Sequence, residues 1–190
     1  AIKFSTEGIL RFHKTGLGSL TYEEISILEN YTYLWNIDGK IWTEKWDMDP
    51  RGFIADENIN EKAVKELETI NILREKAISP LLKFKDEFKG NAKNLSAAIV
   101  KLFRNCNIGE KMAEMCNYEN AAKLPYSADL LKSAYSIYMD ILDSLVVSFG
   151  DAIIDTEYFT DTLKVAVNKA SVGVIPQCLD QVTFGAADRI

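Results

Sequence analysis

The stretch Ser127 to Gly150, Ser-Ala-Asp-Leu-Leu-Lys-Ser-Ala-Tyr-Ser-Ile-Tyr-Met-Asp-Ile-Leu-Asp-Ser-Leu-Val-Val-Ser-Phe-Gly, decides the fold class. Leu131, Ala134, Tyr135, Tyr138, Ile141, Leu142 and Leu145 recur at the spacing that puts side chains on one face of an α-helix. The pattern predicts a helix over about 127–148, ended by Gly150, with Asp140 and Asp143 on its polar side.

Working outward, the same period returns. Asp155 is placed to cap a further helix with Phe159, Leu163, Ala166, Val167 and Ala170 turned inward. Upstream, a short helix is expected over about 110–117. Before it, Asn94 precedes the stripe Leu95, Ala98, Ile99, Leu102, Phe103, Cys106, which Asn107-Ile108-Gly109 should stop. Asn60 can cap a longer helix carrying Ala63, Leu67, Ile70, Leu73 and Ala77; Pro80 should kink it or start another, with the stripe resuming at Leu81, Phe84 and Phe88. Thr21 and Glu24 form a capping box, opening a helix to about Trp35 with Ile25, Leu28, Tyr31 and Trp35 on its apolar face. A single amphipathic helix leaves its stripe in water, so six or more of them must bury one another as a mainly α bundle. Leu28, Leu67, Leu102, Leu131, Tyr135, Tyr138 and Leu142 are the expected core.

Two stretches break the period. Residues 36–58 hold Gly39, Pro50 and Gly52 among the acids Asp47, Asp49 and Asp56, and read as a long loop pinned by Trp42 and Trp46. Gln181-Val182-Thr183-Phe184-Gly185 alternates as a strand does, yet no other strand pattern exists to complete its backbone ladder. The expectation is a helical domain over residues 1–173 and a strand segment over 174–190 that pairs with a part of a larger protein. The lack of an initiator Met at Ala1 is read the same way.

Composition narrows the setting. The chain has 190 residues, 47% hydrophobic and 26% charged, the balance of a folded globular protein. No apolar run approaches the roughly 20 residues that span a bilayer, so no membrane association and a cytoplasmic location are expected. Cys106, Cys116 and Cys178 include no CxxC pair; Cys106 and Cys116 continue apolar series and read as buried thiols. The net charge of −6 lies wholly beyond residue 111. An acidic second half opposes strong autonomous DNA binding, which rests on Lys and Arg displacing counterions.

No phosphate-binding loop occurs; Gly16-Leu17-Gly18 and Gly39-Lys40 lack its spacing. His13 is the single histidine, and its Lys- and Arg-flanked segment suggests a surface or interface position in place of a catalytic one. The pairs Asp47/Asp49, Asp140/Asp143 and Asp151/Asp155 offer carboxylates for an independent small enzyme, but a loop, a polar helix face and a cap account for them. Lysines 62–93 interleave with Glu66, Glu68, Glu75, Asp86 and Glu87 as on a solvated helical face.

Two motifs carry a family resemblance. Leu10-Arg11-Phe12-His13-Lys14-Thr15-Gly16-Leu17, then Glu23-Glu24-Ile25, Leu28-Glu29-Asn30-Tyr31 and Ile37-Asp38-Gly39-Lys40-Ile41-Trp42-Thr43, resembles the "R-Y-L-K-T-G-L … E-E-I-x-x-L-E-N-Y" stretch of the B subunit of AddAB/RexAB-type ATP-dependent helicase–nucleases. Ile175-Pro176-Gln177-Cys178-Leu179-Asp180-Gln181-Val182-Thr183-Phe184-Gly185-Ala186-Ala187-Asp188-Arg189 is similar to its "I-P-x-x-L-D-Q-V-x-V-G-S-x-D-R", with Ala186 in place of the family's Ser.

The resemblance implies a helical insertion, 2B-like, in the second RecA-like domain of a superfamily 1 helicase fold, with a short C-terminal strand returning to that domain's sheet. It implies a non-catalytic scaffold within a heterodimeric helicase–exonuclease that processes double-strand DNA ends for recombinational repair. The A subunit and DNA are the implied partners. ATP with Mg²⁺ and an iron–sulfur cluster would bind outside this chain, which alone is expected to be inactive. DNA contacts are expected from Arg11, Lys14, Thr15 and Arg189, because phosphates favour Arg, Lys and hydroxyl donors. The competing reading is an all-helical protein-interaction module unrelated to DNA.

Overall fold

The computed structural model describes residues 4–52, 61–122 and 125–170. Its helices are α1 (Thr6–Lys14), α2 (Tyr22–Leu34), α3 (Glu61–Glu87), α4 (Ala92–Asn105), α5 (Ile108–Ala121), α6 (Pro125–Phe149) and α7 (Thr156–Lys169), with a 3-10 turn at Gly39–Thr43. The mainly α class is as expected; among the described residues there is no strand, only an isolated bridge between Asn91 and Ile153. The strand at 181–185, the Asn60 cap, Cys178 and Arg189 lie outside the described residues.

Local chemistry sets most boundaries. Thr21 Oγ1 accepts from the Glu24 N–H while Glu24 accepts in turn from the Thr21 N–H, the expected box. Asp155 caps α7 by accepting from the N–H groups of Glu157 and Tyr158. Gly150, at φ +59°, stops α6. Two boundaries differ from expectation. Asn91, not Asn94, caps α4, its carboxamide oxygen accepting from the Asn94 N–H at 3.0 Å. Asn107 takes the left-handed turn after α4 (φ 53°), so α5 starts at Ile108 and absorbs Gly109.

Two apolar cores form, and α3 runs through both. The first joins α1, α2, the 36–52 loop and most of α3 around Leu28, Trp42, Trp46, Ile70 and Ile78. Trp46 stacks on Tyr31 and meets Trp42 edge-on, both at 5.1 Å. Asn71 grips the Trp46 backbone with two bonds of 2.9 Å, one to its N–H and one to its C=O, and Arg74 Nη1 donates to Trp42 O at 2.9 Å. The tryptophans therefore pin the loop as expected, but onto buried polar groups of α3. The second core packs α4, α6 and α7 around Leu95, Ile99, Leu142, Leu145 and Phe159, with Phe84 and Phe88 from the end of α3 beneath.

The face of α6 is only partly covered. Leu142 and Leu145 are buried, whereas Leu131, Tyr135, Tyr138 and Ile141 are half-buried and Ala134 is exposed. Leu67 and Leu102 are half-buried too. The physical reason is reach: α4, α5 and α7 share the cover of α6, leaving Tyr138 and Ile141 at the margin of the second core and Tyr135 on the wall of an open groove. Cys106 and Cys116 are buried, as read from the sequence.

Candidate nucleic-acid interface

The first motif folds into a helix that the apolar period did not reveal. Ser5 caps α1 by accepting from the Gly8 N–H, and Asp38 Oδ1 accepts from the Thr6 N–H at 2.8 Å. Thr6 Oγ1 donates to Ile37 O and accepts from Trp42 Nε1, so the Ile37 to Thr43 motif is bonded directly to the start of α1. At the other end, Thr15 Oγ1 donates to Phe12 O and accepts from the Leu17 N–H, while Gly16 at φ +77° turns the chain out of the helix.

His13 is fully buried, which corrects the surface placement expected of it. It lies one helical turn beyond Ile9, on the face that meets α3, and Nε2 donates to Ala77 O at 3.1 Å. Pro80 sits inside α3, and the carbonyl that His13 reaches, Ala77 O, lies three residues before it on the same helix. Nδ1 has no partner among the described residues. Burial pushes the imidazole below its ordinary pKa, the Ala77 bond opposing and nearby Lys111 assisting.

Arg11 and Lys14 stand exposed along a groove of about 720 Å³ between α1 and the end of α2. Lys14 pairs with Glu29 at 2.5 Å. The groove also carries Glu7 and Asp38, so three carboxylates meet two cations, and it is no basic trough. Thr15 stands beside the end of α1 with its hydroxyl committed to the turn. What the sequence reading missed is Tyr33, 90% exposed and lining the same groove as Arg11. Its position off the Ile25, Leu28, Tyr31 face was the available signal, and an exposed aromatic in a groove that also carries a guanidinium suits an unstacked base.

Two of the paired carboxylates have structural partners. Arg51 holds Asp49 down to about 2 through side-chain and backbone hydrogen bonds, and Asp155 is a cap. Among the described residues no cluster of His, Cys, Asp or Glu is arranged to hold a metal, and no helix is long and apolar enough to cross a membrane.

The residues of the first motif thus tie α1 to the Ile37–Thr43 segment within a mainly helical fold. No family model matches the sequence. The chain is, however, similar over nearly its whole length to the B subunits of ATP-dependent helicase/deoxyribonucleases: 28% identical over 98% of the chain to that of Clostridium acetobutylicum, and 30% identical over 98% and 100% to those of Acetivibrio thermocellus and Clostridium kluyveri. The match occupies 16–17% of those relatives' own length. The resemblance read from two motifs therefore extends across the chain.

Proposed function

We propose that the chain serves as a non-catalytic helical domain of the B subunit of a heterodimeric ATP-dependent helicase–exonuclease, acting in the cytoplasm on double-strand DNA ends for recombinational repair. Near-complete alignment with helicase/deoxyribonuclease B subunits carries the reading. In this proposal the domain is a 2B-like insertion in a superfamily 1 helicase fold, contributes shape and contacts with the A subunit, and leaves ATP, Mg²⁺ and the iron–sulfur cluster to other parts of the protein. Its DNA contact is backbone-positioning, through Arg11 in the groove it shares with Tyr33, Lys14 after release from Glu29, and Arg189 from the second motif.

The test is direct. The purified chain is expected neither to hydrolyse ATP nor to cut DNA with or without Mg²⁺, and to be retained by a co-expressed A subunit. Turnover abolished by Asp151→Asn would overturn the non-catalytic reading, and failure to associate with the A subunit would overturn the scaffold role.

A further inference from the structure

The face where α4 and α6 diverge carries a second groove, of about 860 Å³, far from the α1 motif in sequence. Its floor is apolar: Val100 from α4 with Met139, Leu142 and Val146 from α6. Its two rims are opposite in charge. Every charged residue of α4 is a cation, Lys93, Lys101 and Arg104, and all three line the groove. Across from them stands Asp143, shared with an adjoining shallow depression that adds Asp140 and Val147, the latter 83% exposed. Lys101 pairs with Glu87 at 2.5 Å, but Lys93 and Arg104 make no ion pair among the described residues.

Ser96 adds an independent observation. It also lines the groove, is only 7% exposed, and its Oγ has no hydrogen-bond partner among the described residues. Buried hydroxyls are rarely left unpaired, because burial removes water without replacing its bonds. A partner group arriving in the groove supplies that bond.

We propose that this groove docks an amphipathic helix of a partner protein, with an apolar stripe seated on Val100, Met139 and Val146 and an acidic edge against Lys93 and Arg104. The edge facing Asp140 and Asp143 is basic. A helix fits because the floor is a strip between two helices, and helix-in-groove recognition uses such a stripe of anchors. From Lys93 to Arg104 the α4 rim is about 16 Å long at 1.5 Å per residue, which calls for about three helical turns. A nucleic-acid backbone fits less well, since Asp143 opposes phosphate and Val100, Met139, Leu142 and Val146 give the groove an apolar floor. The inference stands on the chemistry of this groove and needs no assumption about the helicase–nuclease, so the two readings fail separately.

The experiment titrates the ¹⁵N-labelled full chain with two synthetic 18-residue helical peptides of the same leucine stripe. One has Glu on one edge and Lys on the other; the second has Lys on both. The mixed-edge peptide is expected to move the amide resonances of Ser96, Val100, Met139 and Val146 and to bind at least tenfold more tightly. In Lys93→Glu/Arg104→Glu, whose α4 rim holds two carboxylates and only the Glu87-paired Lys101, the preference reverses to the all-Lys peptide. Both substituted positions are exposed, and an unchanged melting curve verifies the fold. Unmoved resonances at millimolar peptide, or binding indifferent to edge charge in both proteins, overturns the proposal. Shifts at these positions from a duplex oligonucleotide alone, abolished at high salt, overturn it in favour of a nucleic-acid surface.

Discussion

Gly18→Ala tests the packing that joins the first motif to α3. A Cβ built on Gly18 lies 2.2 Å from His13 Nδ1 and 2.7 Å from His13 Cα, the second of which is backbone and cannot swing aside. Gly18 is outside the left-handed region, so alanine meets no backbone penalty and the effect is steric. Overpacking of this kind costs about 1–3 kcal/mol. Displacing the ring from Ala77 O adds the loss of one buried hydrogen bond, about 0.5–1.5 kcal/mol. The loss of unfolded-chain freedom offsets about 0.4–1 kcal/mol. The net expectation is a destabilisation on the order of 1–4 kcal/mol, read as a lower urea midpoint at unchanged slope. Gly109→Ala is the matched control: its Cβ meets nothing within 4 Å, and in α5 it should stabilise by up to about 1 kcal/mol. The two residues Gly18 and His13 touch, so His13→Ala/Gly18→Ala should cost less than the sum of the single changes. Gly18→Ala melting at or above the parent would refute the packing of Gly18 on His13.

Other expectations follow from single features. Because burial lowers the His13 pKa, the neutral ring is the folded form; stability is full above the unfolded value of 6.5 and falls as pH drops below it, and His13→Gln should flatten that dependence in urea titrations at pH 5 and 7.5. Leu142→Ala removes a side chain only 2% exposed in the second core and should cost about 2–5 kcal/mol by thermal melting; a loss below about 1 kcal/mol would mean that α4 and α7 do not close over it. DNA binding by the isolated chain should be about 10⁻⁴ M or weaker at physiological salt and tighten at low salt. Arg11→Ala/Lys14→Ala should weaken it and flatten the salt slope by at most about two units in anisotropy titrations, one for each phosphate no longer neutralised; tight binding indifferent to both residues and to salt would exclude the basic contact.

The elements legible in the sequence are those whose cause is local. The period of α6, the Thr21–Glu24 box and the Asp155 cap each involve residues within a few positions of one another. Trp42 and Trp46 could be read as loop anchors because large aromatics seldom stay in water. Their partners could not, since Asn71 and Arg74 look like solvated helix positions until the loop folds back on them. Helix α1 escaped because a histidine fills an inward position beyond Ile9 and Leu10, disguising the apolar face. The groove's charge was hidden for a related reason: Glu7, Glu29 and Asp38 come from three separate segments, and no spacing reveals that they converge on Arg11 and Lys14.

That convergence also separates the motif's structural residues from the one the fold leaves unexplained. Leu10 and His13 are buried, Phe12 packs against the His13 ring, Lys14 pairs with Glu29, Thr15 builds the turn and Gly16 supplies its positive φ. The Arg11 side chain makes no hydrogen bond or ion pair among the described residues and stands exposed in the groove that Tyr33 also lines. A residue that serves the fold should lower stability when removed, and a residue that serves a partner should not. Arg11→Ala is therefore the discriminating change. Its melting temperature should match the parent's, while Lys14→Ala loses the exposed Glu29 pair and shifts stability by about 0–1 kcal/mol. If DNA binding follows Arg11 and ignores Lys14, the motif is a structural cassette presenting a single contact. If Arg11→Ala instead unfolds the chain, Arg11 belongs to the cassette and the groove loses its strongest claim to DNA.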